Sequence, residues 1–314
     1  MKKPTINILC VASDNYIQHA GVTLASLFEN NKDIHFVVYL MTEYISAPSK
    51  EKLKGFVEFY DNEIIFIQDN FEIINTLPLT GNWSKLVYLK LFIPYYIPQT
   101  VKRLLIIDVD IIFNGSIREL LNIDMDKYAL AGVEDYDAST DHKKRLGIPD
   151  DKSYVNGGFI YANMDKWRDA YKQNLFFSFL EKHKDHIICQ EQDIINGVFQ
   201  NEIYTLPIKW NMLSLFFAYR PRCFKKYLPQ LEEAKKNPLV IHFCEMYKPW
   251  EKESFHPYRS LYFKYLKLTP WKDYKPTIRN WKSYVYIVIT KLKYVIHKIG
   301  LLHGNTLFTP SKYK

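Results

Sequence analysis

Two carboxylates, Asp108 and Asp110, stand one residue apart inside the apolar run Leu104-Leu105-Ile106-Ile107-Asp108-Val109-Asp110-Ile111-Ile112-Phe113. A run of this length and composition predicts a strand buried on both faces. Strand periodicity would turn the two carboxylates toward the same side of the chain. Like charges side by side in apolar surroundings repel and lose hydration, so they call for a compensating cation. Hard oxygen donors suit Mg²⁺ or Mn²⁺, and ligands of open α/β sheets gather at the carboxyl ends of strands. Asp-x-Asp also arises at ordinary strand ends, where the carboxylates are solvated or cap a turn. Partners elsewhere in the chain must decide between the two.

Other stretches set polar groups at definable positions. Ala12-Ser13-Asp14-Asn15-Tyr16 follows the first strand-like run, and Asn156-Gly157-Gly158 enters a later one. Gln190-Glu191-Gln192-Asp193 opens a helical stretch, with acids at its positive end. His242 lies in a short apolar run, and Lys248-Pro249-Trp250 begins six residues further on. No Gly-x-Gly-x-x-Gly or Gly-x-x-x-x-Gly-Lys loop follows the first strand, which excludes a dinucleotide fingerprint and a P-loop.

The elements that must position these groups alternate. Strand-like runs over 6–11, 34–41, 64–67, 128–133, 154–162 and 239–243 are interleaved with helical patterns over 21–28, 49–60, 85–92, 167–183 and 194–199. That order predicts βαβ units, an α/β fold and a mostly parallel central sheet. A polar loop spans 136–152 and an aromatic stretch 210–228.

The chain has 314 residues, 47% of them hydrophobic and 16% aromatic, ample for one large domain. Its four cysteines (Cys10, Cys189, Cys223, Cys244) are scattered, which argues against a disulfide scaffold or zinc ribbon and fits a reducing compartment. The start, Met1-Lys2-Lys3-Pro4-Thr5, runs directly into a strand pattern without the three-part form of a signal peptide. No long uncharged apolar window predicts a membrane span. The net charge of +8 is unevenly spread: residues 264–314 hold 11 Lys/Arg and the single acid Asp273, leaving 31 basic and 33 acidic side chains in the rest. The division expected is a near-neutral domain over 1–263 and a basic aromatic tail over 264–314.

Taken in order, the Ser-Asp-Asn-Tyr loop, the Asp-x-Asp pair, the Asn-Gly-Gly entry, the Glu-Gln-Asp helix start and His242 followed by Lys248-Pro249-Trp250 resemble glycosyltransferase family 8. That family includes bacterial lipopolysaccharide galactosyl- and glucosyltransferases and glycogenin, and the likeness covers about residues 5–250. It implies a GT-A fold, Rossmann-like in its nucleotide-binding half. It also implies retaining transfer of galactose or glucose from a UDP-hexose to a glycan or glycolipid hydroxyl, assisted by Mn²⁺ or Mg²⁺. By the same resemblance Asp108, Asp110 and His242 are the metal ligands, and Lys248 is a point charge on the departing phosphate. Ala12, Ser13, Asp14, Asn15 and Tyr16 would hold uridine, with the Tyr16 ring under the base. Lys90, Val109, Glu134, Asp135, Asn156, Gly157, Glu191 and Gln192 complete the expected donor site. Gln192, Glu191 and Lys248 are the expected catalytic residues, the longer Glu191 altering which hexose is accepted or bringing a carboxylate within reach of C1.

Four departures stand out: Ser13 replaces a common acid, Lys90 an arginine, Glu191 an aspartate and Glu245 a glycine. The amide Gln192 near the reacting face is a poor nucleophile, which favours front-face attack by the acceptor hydroxyl over a double displacement. Acceptor pockets are expected from 136–152 and 210–228. An inverting transferase and an inactive sugar-nucleotide-binding protein are the alternatives.

In the tail, helical projection of 279–300 gathers Trp281, Tyr284, Val285, Val288, Ile289, Leu292, Val295, Ile296 and Ile299 on one side. Lys282, Lys291, Lys293, His297 and Lys298 fall on the other. A basic amphipathic helix of this kind suits an anionic membrane surface, giving a cytoplasmic protein peripheral on the inner face of the cell membrane. No nucleic-acid motif accompanies it, so no nucleic-acid partner is expected.

Overall fold

The computed structural model describes residues 3–80, 84–136, 140–218, 221 and 223–298. Its strands are β1 (Thr5–Val11), β2 (His35–Thr42), β3 (Glu63–Gln68), β4 (Arg103–Ile107), β5 (Ile111–Phe113), β6 (Leu130–Glu134), β7 (Val155–Asn163), β8 (Ile203–Thr205), β9 (Met212–Leu213) and β10 (Val240–His242). Its α-helices are α1 (Ile17–Glu29), α2 (Ala47–Phe59), α3 (Ile93–Tyr96), α4 (Thr140–Arg145), α5 (Met164–Lys172), α6 (Leu175–His183), α7 (Gln190–Val198), α8 (Leu228–Lys236), α9 (Arg259–Leu266) and α10 (Trp281–Lys298). Residues fall into two units. The first comprises Met1–Ala20, Asn31–Val109 and Ser116–Pro207, the second Gly21–Asn30, Asp110–Gly115 and Ile208–Lys314.

The first unit is built on a seven-stranded sheet of order β3-β2-β1-β4-β7-β6-β8. Neighbours are parallel except for β7, which runs antiparallel to both β4 and β6. The mostly parallel sheet expected from the βαβ alternation is therefore present. Every residue of β7 is buried, as befits a strand covered on both faces. Trp167, fully buried, packs against Phe176 and Phe199 and donates its indole N–H to the Ala129 carbonyl at 3.0 Å.

Three local expectations are corrected. Residues 167–183 form two helices, α5 and α6, not one. Asn174 between them adopts a left-handed conformation (φ 56°), which Asn tolerates better than most residues, and this ends the first helical register. The loop over 136–152 contains the short helix α4, with residues 137–139 outside the described part.

The third correction concerns the Asp-x-Asp run. It is not one strand: β4 stops at Ile107, Asp108-Val109-Asp110 forms a turn, and β5 enters a different sheet. A carboxylate in the middle of a strand buried on both faces would be stripped of water, whereas at a strand end it need not be. Asp108 accordingly keeps 34% of its side-chain surface and Asp110 13%. The chain passes from the first unit to the second inside this motif.

The second unit contains a three-stranded sheet of order β5-β10-β9, with β10 antiparallel to β5 and parallel to β9. Thr23 and Ser26 of α1 tie onto β5 through the Ile111 carbonyl and the Phe113 amide. Gly21 allows the Trp271 indole to pack on the helix backbone, since a Cβ there would lie 2.7 Å from a ring carbon. Among the described residues no helix is long and apolar enough to cross a membrane.

Replacing Trp167 with alanine should remove the largest buried ring of the first unit and cost about 3–5 kcal/mol. Urea titration followed by circular dichroism measures this, and a loss under 1 kcal/mol would show that the ring is not part of the core.

Candidate active site

In the first unit a buried lysine organises the polar end of the sheet. Lys90 lies in the 3-10 helix Lys85–Phe92, whose N-cap Ser84 accepts from the Leu86 amide. Its side chain is 2% exposed. The ammonium donates to Asp108 Oδ1 at 2.8 Å, to the Gly157 carbonyl at 3.0 Å and to Glu191 Oε1 at 3.1 Å, and so uses its three N–H groups within the protein. Burial alone would discharge the amine, but the two carboxylates outweigh it and keep Lys90 protonated beyond the usual lysine range. Burial pushes the Glu191 carboxyl up, and Lys90 opposes that rise. The backbone completes the frame: the Asp108 amide donates to the Gly158 carbonyl at 2.9 Å.

Glu191 and Gln192 are delivered by the first turn of α7, entered through Gln190 at φ 41°. The Gln192 amide is held from both sides. Its Oε1 accepts from the Gly157 amide at 2.7 Å, and its Nε2 donates to Asp135 Oδ2 and the Tyr154 hydroxyl, each at 3.2 Å. Asn156 Nδ2 donates to the same Asp135 oxygen at 2.9 Å. Glu134 is buried at the end of β6, where the register with β7 shifts. The paired glycines lie within β7, and at Gly157 a Cβ would sit 3.3 Å from Gln192 Cβ, so glycine admits the close approach of α7.

Beneath this layer lies a cluster that sequence reasoning missed. Asp193, fully buried, accepts from the backbone amides of Ile188 and Cys189 at 2.7 and 2.9 Å. It also accepts from the Tyr154 hydroxyl and meets His142 Nε2 at 2.8 Å. Arg145 approaches His142 Nδ1 at 3.0 Å; an arginine can only donate, so Nδ1 accepts and Nε2 carries the proton given to Asp193. Burial raises the Asp193 carboxyl, but the His142 and Tyr154 hydrogen bonds hold it below its usual range. His142, Cys189 and Asp193 could between them offer three ligand atoms to a metal. Asp193 is instead occupied as a hydrogen-bond acceptor that fixes the start of α7. The only sequence signal was its place after Glu191-Gln192, because its side-chain partners Tyr154 and His142 lie 39 and 51 residues away.

The N-terminal loop is braced through Asp14, whose Oδ1 accepts from the Ser46 amide and hydroxyl at 3.0 and 3.1 Å. These bonds, the backbone one foremost, lower the Asp14 pKa. The Ala12 amide donates to the Met41 carbonyl at 3.2 Å. Ser13 precedes the 3-10 turn Asp14–Tyr16, and the Tyr16 ring, 40% exposed, meets His19 edge-on. Asn15 is exposed.

In the second unit Asp110, His242 and Lys248 come together. Pairing of β10 with β5 sets His242 opposite Ile111, next to Asp110, and the Phe243 amide donates to the Asp110 carbonyl at 2.9 Å. His242 Nε2 lies 3.3 Å from Asp110 Oδ1, while Lys248 Nζ lies 2.7 Å from Asp110 Oδ2 and 2.8 Å from the Phe243 carbonyl. Burial works to raise the Asp110 carboxyl, yet Lys248 and then His242 prevail and hold it far below the usual carboxylate range. Asp108 precedes Asp110 by two residues, so chain connectivity alone keeps it close. Glu245 is half-buried in the loop after β10.

A mostly parallel sheet with an acidic turn at the end of its central strand and a polar helix start beside it is an α/β arrangement of the GT-A type. The model for "Glycosyl transferase family 8" matches residues 7–254, and the chain belongs to this family. It is 27% identical over 278 residues to general stress protein A of Bacillus subtilis, covering 86% of this chain and 96% of that protein. It is 26% identical over 283 residues to the lipopolysaccharide 1,2-glucosyltransferase of Escherichia coli K12, covering 89% and 82%. The fold is shared with the galactosyltransferase LgtC solved with donor and acceptor sugar analogues: TM-score 0.76, 22% identity, 84% of this chain and 96% of that one.

The depressed Asp193 carboxyl makes a signed pH prediction. A group whose pKa is lower folded than unfolded stabilises above its unfolded value, about 3.9, and loses that contribution as pH falls below it. Asp193→Asn should therefore cost about 2–3 kcal/mol at pH 7. The gap to wild type should narrow in melts run at progressively lower pH below about 4, and a gap that widened instead would contradict the assignment.

Proposed function

We propose that the protein moves galactose or glucose from UDP to a hydroxyl of lipopolysaccharide or another surface glycan, retaining the anomeric configuration. The observation that carries this reading is the Asp110 carboxylate gripped by both His242 and Lys248, residues more than 130 positions away that meet at one strand end. Membership of family 8 and the likeness to a lipopolysaccharide 1,2-glucosyltransferase support it.

A divalent ion fits the donor set. Asp108, Asp110 and His242 each offer one oxygen or nitrogen, and Asp110 stays ionised at any physiological pH. Two hard oxygens with an imidazole suit Mn²⁺, with Mg²⁺ as a substitute. Such an ion would supply positive charge beside the diphosphate.

The remaining work falls to the chain's own side chains. Lys248 neutralises charge that builds on the departing phosphate. Tyr16 gives uracil an exposed ring to stack on, and Ala12 to Asn15 line the uridine. Glu191, Asp135 and Asn156 face the sugar hydroxyls, with Lys90 holding Glu191 in place rather than spending its own hydrogen bonds on the donor. The Gln192 amide has both ends engaged, which suits a fixed dipole near C1 better than a nucleophile. The acceptor oxygen then bonds to C1 on the face the phosphate leaves, the electron pair of the broken C1–O bond goes to UDP, and the acceptor proton passes to the departing phosphate oxygen.

Attachment to an anionic membrane surface from the cytoplasmic side suits a lipid-linked acceptor, and α10 supports it. Its inner face, Ser283 and Thr290 buried and Tyr286 and Tyr294 against Tyr247 and Phe255, packs on the rest of the second unit. Trp281, Tyr284, Val285, Val288, Ile289, Leu292, Val295 and Ile296 remain outward and exposed. An apolar stripe left in water on a basic helix is the arrangement expected of an interfacial element. The predicted end of this helix at Ile299 and Gly300, with the 301–314 segment, lies outside the described residues, as do the side chains of His297 and Lys298.

With Mn²⁺ present, UDP-galactose or UDP-glucose should be turned over and the product should keep the α-anomeric signal in proton NMR. Asp110→Asn should lower kcat by about 100-fold or more. Absence of both transfer and UDP release with either donor would sink the reading, and an inverted anomer would sink its mechanism. Separately, Val288→Asp with Leu292→Asp should abolish co-sedimentation with anionic phospholipid vesicles while leaving the melting temperature unchanged, because both side chains are 55% exposed. Undiminished co-sedimentation would remove the membrane role of α10.

A further inference from the structure

Lys248 sits in the loop 244–250, which has no regular secondary structure of its own. A long side chain on such a loop is only as well placed as the backbone beneath it. What holds that backbone is Glu251. Its Oε2 accepts from the Lys248 amide at 2.8 Å, and its side chain is 11% exposed. Glu251 is in turn gripped by Arg279, whose Nε donates to Oε1 at 2.6 Å and whose Nη2 donates to Oε2 at 2.9 Å, a two-pronged contact. The same Nη2 also donates to the Met246 carbonyl, and the guanidinium lies 5.1 Å from the Tyr247 ring centre.

The segment carrying Arg279 is itself fastened to the far end of the loop. The Thr277 amide donates to the Trp250 carbonyl at 3.3 Å and the Lys252 amide to the Thr277 carbonyl at 2.9 Å. The Arg279 amide donates to the buried Glu253 at 2.9 Å. Tyr286 of α10 then packs on Tyr247, the residue before Lys248, with ring centres 4.7 Å apart. Residues 277–286 thus form a strap across the Lys248 loop, and its centre is the Arg279–Glu251 pair. The matched family region ends at residue 254, so the strap lies beyond it.

We propose that Arg279 is a positioning residue for Lys248: through Glu251 it sets the loop backbone from which the Lys248 ammonium reaches the nucleotide's phosphates. This rests on the phosphate role given to Lys248 above. A guanidinium is suited to the task because its planar fork engages both carboxylate oxygens at once and stacks on Tyr247, which an ammonium cannot reproduce. A consequence is that the helix proposed to lie on the membrane and the loop that meets the phosphates share one anchor.

The test is calorimetric binding of UDP and of uridine, with Mn²⁺, to the full-length protein and its Arg279→Ala, Lys248→Ala and doubly substituted forms. If Arg279 acts through Lys248, Arg279→Ala weakens UDP binding about tenfold and leaves uridine binding unchanged, since uridine has no phosphate. Added to Lys248→Ala, it produces no further loss. Arg279→Lys falls between Arg279→Ala and wild type and serves if the alanine form does not fold. Amide exchange at 244–250, without any ligand, speeds up in either variant. UDP binding equal to wild type, a matching loss of uridine binding, or full additivity with Lys248→Ala would each overturn the proposal. Should wild type itself bind no UDP, the functional reading fails and Lys248 loses its phosphate role. UDP binding by wild type that Lys248→Ala weakens and Arg279→Ala does not would fail this inference alone.

Discussion

The ammonium of Lys90 is a full charge removed from water, and the first unit's polar end is arranged so that this charge is matched. Desolvating an amine costs several kcal/mol unless anions and dipoles replace the water. Here the replacements are the turn after β4 (Asp108), the entry of β7 (the Gly157 carbonyl) and the start of α7 (Glu191). Three segments far apart in sequence must therefore converge to within hydrogen-bond distance of one atom. Gln192 follows from the same constraint: with Glu191 anchored and Asp193 pinned by the Ile188 and Cys189 amides, the amide between them is presented to Asp135, Tyr154 and the Gly157 amide. Polar groups locked in this way need no reorganisation when charge develops on a substrate, which is the condition for electrostatic catalysis.

The second unit applies the same logic with opposite sign. Asp110 is a carboxylate with only 13% of its side-chain surface exposed, and Lys248 and His242 supply its compensation. The side chains that do this come from β10 and the loop behind it, and that loop is strapped by Glu251 and Arg279. In place of a glycine-rich cradle of backbone amides, the chain assembles fixed side-chain charges at strand ends.

Much of the architecture was legible from residue patterns. The runs at 6–11, 34–41 and 64–67 become β1, β2 and β3, because β-branched and aromatic residues flanked by turn formers leave few alternatives. The pattern failed where tertiary contacts overrode it. Residues 104–113 look like one strand, since every residue but two is apolar, yet the two exceptions mark the point where the chain leaves one sheet for another. Residues 167–183 look like one helix, and only the left-handed Asn174 splits it.

The residue types at the site, acids, amides, a late histidine and a lysine in a fixed order, were set by the sequence alone, because chemical function resides in side chains and their order survives any folding. So was the closeness of Asp108 and Asp110 along the chain, since a single residue separates them. What only the tertiary structure decided is which charges neutralise which. Lys90 with Glu191, His142 with Asp193, Lys248 with Asp110 and Arg279 with Glu251 are pairings across long sequence separations. No local periodicity encodes them, because a Coulombic partner is chosen by distance and burial in the folded chain.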